Sequence, residues 1–317
     1  MIVPFGIFGI QKRRLSIPFV LLLVVGVLTA LHFPRQTDPP LPPGQPDLKV
    51  EKEKAFYNKA YAPRGTVVQG VDQAYEPREQ PANEHLDEVK KFVQDYGMAG
   101  KKVLDVGAGD GSLQNLVEDY TGLDISETSR RFFTKPFFQG SATELPFEDG
   151  HFDAVWTVYT LEHVPNPEQM LREMRRVVKD GGIIYLLAAW YVGSWKADGY
   201  EVRPFSDFGF KDKLVKASVP IRRSVYYRSL YTFPIRVIRG VEVKLSSQPS
   251  KFRYNPVVPN YTHHWGAADG DAVNNMDAYE VILWHTSRGD KILNALGFSD
   301  QFFFRKGELV IEVHKGK

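Results

Sequence analysis

The pattern in this sequence that most directly suggests chemistry is a glycine-rich turn behind an apolar run that contains an aspartate. Run and turn read VLDVGAGDG over residues 103–111, and the glycines occupy alternate positions: Gly107, Gly109 and Gly111. Glycine allows left-handed backbone and a close approach of the backbone to a ligand. Asp105 adds a negative charge inside the run. The pattern predicts a ligand-binding site where this run ends.

The spacing of the glycines narrows the choice of ligand. A dinucleotide site of the G-x-G-x-x-G type would place its third glycine at position 112, which is Ser112. The spacing therefore disfavours an NAD-dependent oxidoreductase. Asp124, at the end of the next apolar run, could still bind the ribose of NAD, so this alternative stays open.

The segments around the turn alternate between predicted strands and predicted helices. Helices are predicted over 83–97, 112–120, 127–133, 166–182 and 288–298. Strands are predicted over 101–107, 121–126, 137–139, 152–158, 183–191, 300–306 and 308–315. This alternation indicates an α/β fold with a doubly wound, mostly parallel, Rossmann-like sheet of seven strands. Ligands bind at the carboxyl ends of the strands of such sheets.

The glycine-rich motif resembles motif I of the class I S-adenosylmethionine (SAM) dependent methyltransferases. The resemblance continues in order through residues 101–188, in LDI (123–125), SATELPF (141–147), FD (152–153), LEHV (161–164) and RRVVKDGG (175–182). Within the family, the segments are similar to those of ubiquinone and menaquinone methyltransferases. The resemblance implies a SAM cofactor and a methyltransferase activity.

The resemblance also implies which residues hold SAM. They are Asp105, Gly107, Ala108, Gly109, Asp124, Ile125, Ala142, Thr143, Thr157 and Val158. Asp105 would hold the ammonium group, and the Asp124 carboxylate would accept from the two ribose hydroxyls. Ser141 stands where the family often has an aspartate, which puts the side-chain contact to the adenine amine in doubt.

Three histidines are candidates for a general base, which is needed only if the acceptor loses a proton as it reacts. They are His163, His263 and His264. In the alternative interpretation, His163 caps a helix and the other two form hydrogen bonds within their own segment. No metal site is predicted, because the Glu162–His163 pair lacks a second cluster of ligands.

The N-terminus differs in composition from the rest of the chain. A basic segment, 1–16, precedes an apolar run over 17–33, which predicts a single transmembrane anchor. A cleaved signal peptide and a buried helix are the alternatives. The Pro-rich segment that follows predicts a stiff linker over 34–53.

The body divides into a SAM-binding core over 54–191, an inserted lid over 192–286 and a C-terminal helix with closing strands over 287–317. Within the lid, residues 211–240 contain eight basic residues, one acidic residue and several aromatic ones. This composition suits a membrane surface and, less well, RNA. A solvated lid is the alternative without a partner.

These observations predict a membrane-anchored SAM-dependent methyltransferase. Its acceptor is expected to be a lipid, a lipid-linked glycan or a quinone-like molecule. The basic N-terminal segment favours an N-terminus in the cytoplasm with the body across the membrane. The cytosolic origin of SAM favours a cytoplasmic catalytic domain, which is the orientation we expect. A non-catalytic SAM-binding scaffold is the alternative function. The chain has no cysteine, which excludes disulfides and thiolate chemistry.

Overall fold

The computed structural model describes residues 17–37, 48–82, 85–263, 265, 269–295, 297, 301 and 307–316. The α-helices are α1 Ile17–His32, α2 Leu48–Ala60, α3 Leu86–Asp95, α4 Pro167–Val177, α5 Phe210–Arg223, α6 Val225–Leu245 and α7 Ala278–Thr286. The strands are β1 Lys102–Val106, β2 Asp119–Asp124, β3 Phe137–Gln139, β4 Phe152–Val158, β5 Val178–Leu187, β6 Asn255–Pro256, β7 Asn274–Asn275, β8 Lys291–Ile292 and β9 Leu309–Glu312.

Seven strands form one sheet in the order β3-β2-β1-β4-β5-β9-β8. The first five strands in that order are parallel to one another, whereas β9 is antiparallel to β5 and β8 is antiparallel to β9. The predicted doubly wound, mostly parallel sheet of seven strands is confirmed. The strand order reverses between β1 and β4, and this switch point is where such folds bind ligands.

The central strands are apolar on both faces because both faces are covered. On β4, Val155 packs into one core with α4 and α7. The alternate residues Ala154 and Trp156 pack into the other core with α3. Side chains on a strand alternate between its faces, so a nearly continuous apolar run is expected for a strand buried between two layers.

Of the two helices predicted near the switch point, one is absent and the other is a short 3-10 helix. Residues 112–118 form turns, and β2 already begins at Asp119, so the helix predicted over 112–120 is absent. Hydrogen bonds from Gln114 N to Gly111 O (3.1 Å) and from Glu118 N to Ala99 O (2.9 Å) hold this short connection. The helix predicted over 127–133 is a 3-10 helix, Glu127–Phe132.

The last helix of the core does not lie at the predicted position. Residues 288–298 were expected to form it, but their described part contains β8 and turns. The helix in that layer is α7, which begins after Asp277, whose side chain accepts from Tyr279 N at 2.8 Å. The predicted lid over 192–286 therefore includes a core helix. The helix predicted over 166–182 ends at Val177, because β5 begins at the next residue.

Helices α5 and α6 form the main part of the inserted region, and α1 packs against α6. The rings of His32 and Tyr231 stack at 4.0 Å where these two helices meet. The predicted linker over 34–53 overlaps α2, which begins at Leu48. Residues 38–47 of that linker lie outside the described residues, as does most of the strand predicted over 300–306.

The predicted transmembrane anchor over 17–33 corresponds to α1, a helix of 16 residues. Within the part of the chain that the structure describes, no helix has the length and apolar character needed to cross a membrane.

Candidate active site

Two adjoining cavities open where β1, β2 and β4 end. The first, of about 90 Å³, is lined in part by Gly107, Asp124, Ile125, Ala142 and Thr143, and is called the Asp124 cavity here. The second, of about 500 Å³, is lined in part by Asp105, Gly107, Ala108, Gly109 and Val158, and is called the Asp105 cavity. Tyr61, Gly107 and Tyr159 line both. The structure therefore brings nine of the ten predicted cofactor residues to one site. Thr157 is fully buried and lines neither cavity.

Gly107 lies in the wall that the two cavities share, and Gly109 lines the Asp105 cavity. Gly107, Gly109 and Gly111 all have positive φ angles, of 76°, 53° and 69°. A Cβ on Gly107 would lie 2.1 Å from Thr160 Oγ1, and one on Gly109 would lie 2.9 Å from the Tyr61 hydroxyl. Gly107 N also donates to Leu123 O at 2.8 Å, which ties the turn to β2. The glycines are thus needed for backbone conformation and for space beside the cavities.

Asp124 is held with its carboxylate at the edge of its cavity. Oδ2 accepts from Gly109 N and Oδ1 accepts from Ser126 N, each at 2.8 Å. Burial raises the pKa of Asp124 to about 6. A carboxylate has about four acceptor positions, so acceptor capacity remains for a hydroxyl group of a ligand.

Asp105 is buried at the base of the other cavity. Its Oδ2 accepts from the Tyr120 hydroxyl at 2.8 Å. Burial raises the pKa of Asp105 to about 7, so the carboxylate holds a proton far more readily than an exposed aspartate does. A cationic ligand group placed beside it would favour the ionised form.

Helix α2 covers the Asp124 cavity with two tyrosines. Tyr57 lies on α2 and Tyr61 directly follows it, and both line the cavity. The helix is fixed by Asn58, whose Oδ1 accepts from Ser126 Oγ at 2.9 Å and whose carbonyl accepts from Thr128 Oγ1 at 2.9 Å. Sequence reasoning missed these tyrosines. Their spacing of four residues, which places two side chains on one helical face, is the signal that could have found them.

His163 lines the Asp124 cavity and lies between two carboxylates. Its Nδ1 is 3.3 Å from Asp271 Oδ2, and its Nε2 is 3.9 Å from Glu162 Oε1. Burial lowers the pKa of His163, but the charges of Asp271 and Glu162 more than offset it, and the pKa lies above the usual value for histidine. The Tyr57 hydroxyl donates to Asp271 at 2.7 Å. We call Glu162, His163 and Asp271 the His163 cluster.

Glu162 is fully buried behind His163. Its Oε1 accepts from Ala189 N at 3.0 Å, whereas Oε2 has no hydrogen-bond partner among the described residues. Burial raises the pKa of Glu162 to about 7. Glu162, His163 and Asp269 also offer ligand atoms within 4.8 Å of one another, which is close enough to hold a metal ion. Sequence reasoning expected no metal here, and that prediction stays untested.

Three of the residues that line the Asp105 cavity are strained, and we call them the outer wall of that cavity. His85, Tyr159 and Asp269 line it, and all three are non-glycine residues with positive φ, of 59°, 50° and 58°. The His85 and Tyr159 rings lie 4.5 Å apart. Backbone strain of this kind persists only where the surrounding structure imposes it, and it is found most often at functional sites. Sequence reasoning missed these residues, since none belongs to the glycine-rich motif.

Of the two remaining predicted bases, the structure describes His263, which is not brought to this site. His263 is exposed, stacks on Trp265 at 5.5 Å and lines neither cavity. His264 lies outside the described residues.

Comparisons with known proteins agree with this geometry. The family model described as a methyltransferase domain matches residues 104–186. This segment is a methyltransferase domain of the class I SAM-dependent family. The matched segment begins in β1 and ends in β5, so it contains the glycine turn, Asp124 and His163.

Three relatives illustrate the similarity of this methyltransferase domain. The 2-methyl-6-phytyl-1,4-hydroquinone methyltransferase of Synechocystis is 39% identical over 104 residues, 29% of this chain and 32% of that protein. The ubiquinone biosynthesis O-methyltransferase of Dechloromonas aromatica is 36% identical over 110 residues, 29% of this chain and 46% of that protein. The phthiotriol/phenolphthiotriol dimycocerosates methyltransferase 1 of Mycobacterium ulcerans is 28% identical over 160 residues, 45% of this chain and 58% of that protein. Each match covers less than two thirds of the relative.

SAM is the cofactor of this methyltransferase domain, and the residues present fit it. Gly107 and Gly109 line the cavities with bare backbone, and a Cβ at either position would meet the side chain of Thr160 or Tyr61. Asp124 keeps acceptors for a ribose, and the buried Asp105 offers a partner for the ammonium group. The predicted cofactor is confirmed. The individual residue contacts remain predictions.

Proposed function

We propose that this protein transfers the methyl group of SAM to a lipid or quinone-like acceptor at a membrane surface. The observation that carries the proposal is the pair of cavities joined at Gly107. One cavity offers Asp124 for the ribose, and the other offers Asp105 for the methionine end. The outer wall of the Asp105 cavity, formed by His85, Tyr159 and Asp269, remains for the acceptor.

Bound SAM supplies an activated methyl group on a sulfonium centre. A nucleophilic atom of the acceptor forms the new bond to that methyl carbon while the carbon–sulfur bond breaks, which leaves S-adenosylhomocysteine. Much of the rate of such a displacement comes from holding the two reactants in line. Asp105, Asp124 and the glycine turn fix one reactant, and the wall of the Asp105 cavity orients the other.

An acceptor hydroxyl must lose a proton as it reacts, and the His163 cluster can take it. His163 lines the Asp124 cavity within 4.8 Å of Asp269, which lies on the wall assigned to the acceptor. Asp271 and Glu162 stabilise the charge that the His163 imidazole gains. A base with a pKa near the working pH contributes most to such a step. The pKa of about 7 of Glu162 places the buried member of the cluster in that range.

The aromatic residues of the Asp105 cavity and the names of the relatives support the proposed acceptor class. The rings of His85 and Tyr159, tilted by 46° to each other, offer aromatic surface to a planar acceptor such as a hydroquinone. Proteins named for hydroquinone, ubiquinone and phthiotriol methylation are among those similar to this chain. A hydroquinone-type acceptor with a lipid tail combines both features.

The membrane association rests on exposed apolar side chains of α1 and α6. Leu22 and Leu23 of α1 are exposed by 71% and 57%, and Phe233 and Leu245 of α6 by 40% and 82%. Contiguous exposed apolar surface on a protein marks an interaction site. We place this surface on the cytoplasmic leaflet, where SAM is available.

The test is transfer of labelled methyl from SAM in the presence of vesicles that carry either a prenylated hydroquinone or a long-chain alcohol. We expect label in the hydroquinone. Asp124→Asn, which keeps the size of the side chain, should lose the activity together with SAM binding. A protein that binds S-adenosylhomocysteine but labels neither acceptor nor a membrane lipid extract would support the scaffold alternative instead.

His163→Gln separates proton transfer from cofactor binding. We expect normal affinity for S-adenosylhomocysteine, a lower turnover, and loss of the rise of turnover with pH on a hydroxyl acceptor. An unchanged pH profile in this variant would refute the role of the His163 cluster.

A further inference from the structure

A third cavity, separate from the active site, lies between the C-terminal end of α1 and helices α5 and α6. Its volume is about 740 Å³. None of its lining residues lines the Asp124 or the Asp105 cavity. A ligand bound in this cavity would therefore be neither SAM nor an acceptor held beside SAM.

The lining of this cavity is basic and aromatic. It contains three arginines from three different segments, Arg35, Arg222 and Arg228, and no acidic residue is among its described lining. Arg222 lies over the Trp195 ring at 4.3 Å, and Arg228 Nε donates to Arg222 O at 3.3 Å. Guanidinium groups are the side chains best suited to bind phosphate oxygens in pairs.

The acidic residues close to this cavity are already paired. Asp277, in a neighbouring small cavity, accepts from Arg236 Nε at 3.0 Å and from its Nη2 at 2.7 Å. Glu201 accepts from Trp195 Nε1 at 2.9 Å and lies 3.5 Å from Arg223. Burial lowers the pKa of Arg228, which a bound anion would offset. The positive charge in the cavity thus suits an anion.

The exposed apolar surface of α1 and α6 begins at this same cavity. Leu31, exposed by 64%, lines it from α1, and Tyr227 lines it from α6. Further along α6, Leu230, Val237 and Val241 are exposed. An anionic head group in the cavity would therefore have its apolar chains on an apolar surface, and tyrosines are favoured where head groups meet acyl chains.

We propose that this cavity binds the phosphate group of an anionic phospholipid. The arginines hold the phosphate, and the acyl chains follow α1 and α6 into the bilayer. The site would orient the domain on the membrane, with the lipid as a ligand and not as the methyl acceptor. The inference rests on the membrane association proposed above and is independent of the methyl transfer.

The binding experiment uses the whole protein and water-soluble lipids, so that it does not depend on a bilayer. Dihexanoyl phosphatidylglycerol is titrated into the protein and followed by calorimetry and by tryptophan fluorescence, to which Trp195 in the cavity lining contributes. We expect saturable binding that is at least about tenfold tighter than that of dihexanoyl phosphatidylcholine or inorganic phosphate, because charge and apolar contacts add. Equal affinity for phosphatidylcholine would overturn the anionic specificity. Equal affinity for inorganic phosphate would overturn the lipid assignment.

Two variants locate the site. Arg222→Gln with Arg228→Gln should weaken phosphatidylglycerol binding by about tenfold or more. Lys213→Gln, which removes an exposed basic residue of α5 that does not line the cavity, should leave it unchanged within about twofold. Unchanged binding of S-adenosylhomocysteine shows that each variant is folded. If the double variant does not fold, Arg222→Gln alone serves the same test, since Arg222 is only partly buried.

Vesicle sedimentation separates this site from membrane association as such. Vesicles of phosphatidylcholine with phosphatidylglycerol should bind the protein more tightly than vesicles of phosphatidylcholine alone. The variant with Arg222→Gln and Arg228→Gln should lose that difference. Equal binding of both vesicle types by the unaltered protein would refute the head-group site while supporting the membrane association. Failure of the unaltered protein to bind either vesicle type would refute the membrane association.

Discussion

The buried carboxylate of Asp105 makes cofactor binding depend on pH. Burial raises its pKa to about 7 in the free protein. The ammonium group of SAM or S-adenosylhomocysteine favours the ionised form, so binding should release a proton. If only the ionised form binds, about one tenth of the protein is competent near pH 6 and about nine tenths near pH 8, which predicts roughly tenfold tighter binding at the higher pH.

The assay is calorimetric titration with S-adenosylhomocysteine at about pH 6, 7 and 8, in buffers with different heats of ionisation. The buffer dependence of the measured heat counts the released protons. Asp105→Asn is the matched control, since its amide cannot ionise, and its affinity should be weaker and independent of pH. Affinity of the unaltered protein that stays constant, or that rises as the pH falls, would refute the role of Asp105.

The same pKa predicts the pH dependence of stability. Because the folded protein holds the Asp105 proton more tightly than the unfolded chain does, the free energy of unfolding should fall as pH rises from about 4 to about 7. A shift of about three units corresponds to an effect on the order of 4 kcal/mol for this group. Denaturant titrations should show this fall reduced in Asp105→Asn. Equal pH dependence in both proteins would contradict the assignment.

Three further predictions concern single contacts. Gly107→Ala should reduce the free energy of unfolding by about 1–3 kcal/mol and abolish SAM binding, because of the positive φ and the contact with Thr160; unchanged urea titrations would contradict this. Arg236→Met should cost about 3–5 kcal/mol by leaving Asp277 buried without its cation, and pairing it with Asp277→Leu should restore part of the loss. Tyr61→Ala should weaken S-adenosylhomocysteine binding by about tenfold, measured by calorimetry, because the ring borders both cavities; Tyr61→Phe is the control that should bind normally.

The part of the site that is local in sequence could be predicted well. The glycine turn and Asp105 lie within nine consecutive residues, and Asp124 follows at the end of the next strand. In a parallel sheet all of these meet at one edge, so strand order and motif suffice to bring them together. Nine of the ten predicted cofactor residues line the two cavities for this reason.

The part that depends on long-range packing could not be predicted in this way. Tyr57 and Tyr61 come from a helix before the core, and Asp269 and Asp271 come from the inserted region. No local pattern places them beside His163. The positive φ of His85, Tyr159 and Asp269 is likewise imposed by surrounding structure, because a non-glycine residue adopts it only under constraint.

The errors in the predicted helices have a similar origin. The alternation of strands and helices led us to expect helices over 112–120 and 288–298, but short connections and tertiary contacts determine the structure there. In the second case, Asp290 accepts from Arg175 at 2.9 Å and from His285 at 2.7 Å, which fixes the chain in a turn. Local propensity is only a weak guide where such contacts compete with it.

Equilibrium binding of S-adenosylhomocysteine to the purified chain tests the central claim most directly. The joined cavities predict one site per chain with micromolar affinity at about pH 8, lost in Asp124→Asn and retained in His163→Gln. Absence of binding in a protein shown to be folded, or binding that Asp124→Asn leaves intact, would contradict the assignment of these cavities to SAM.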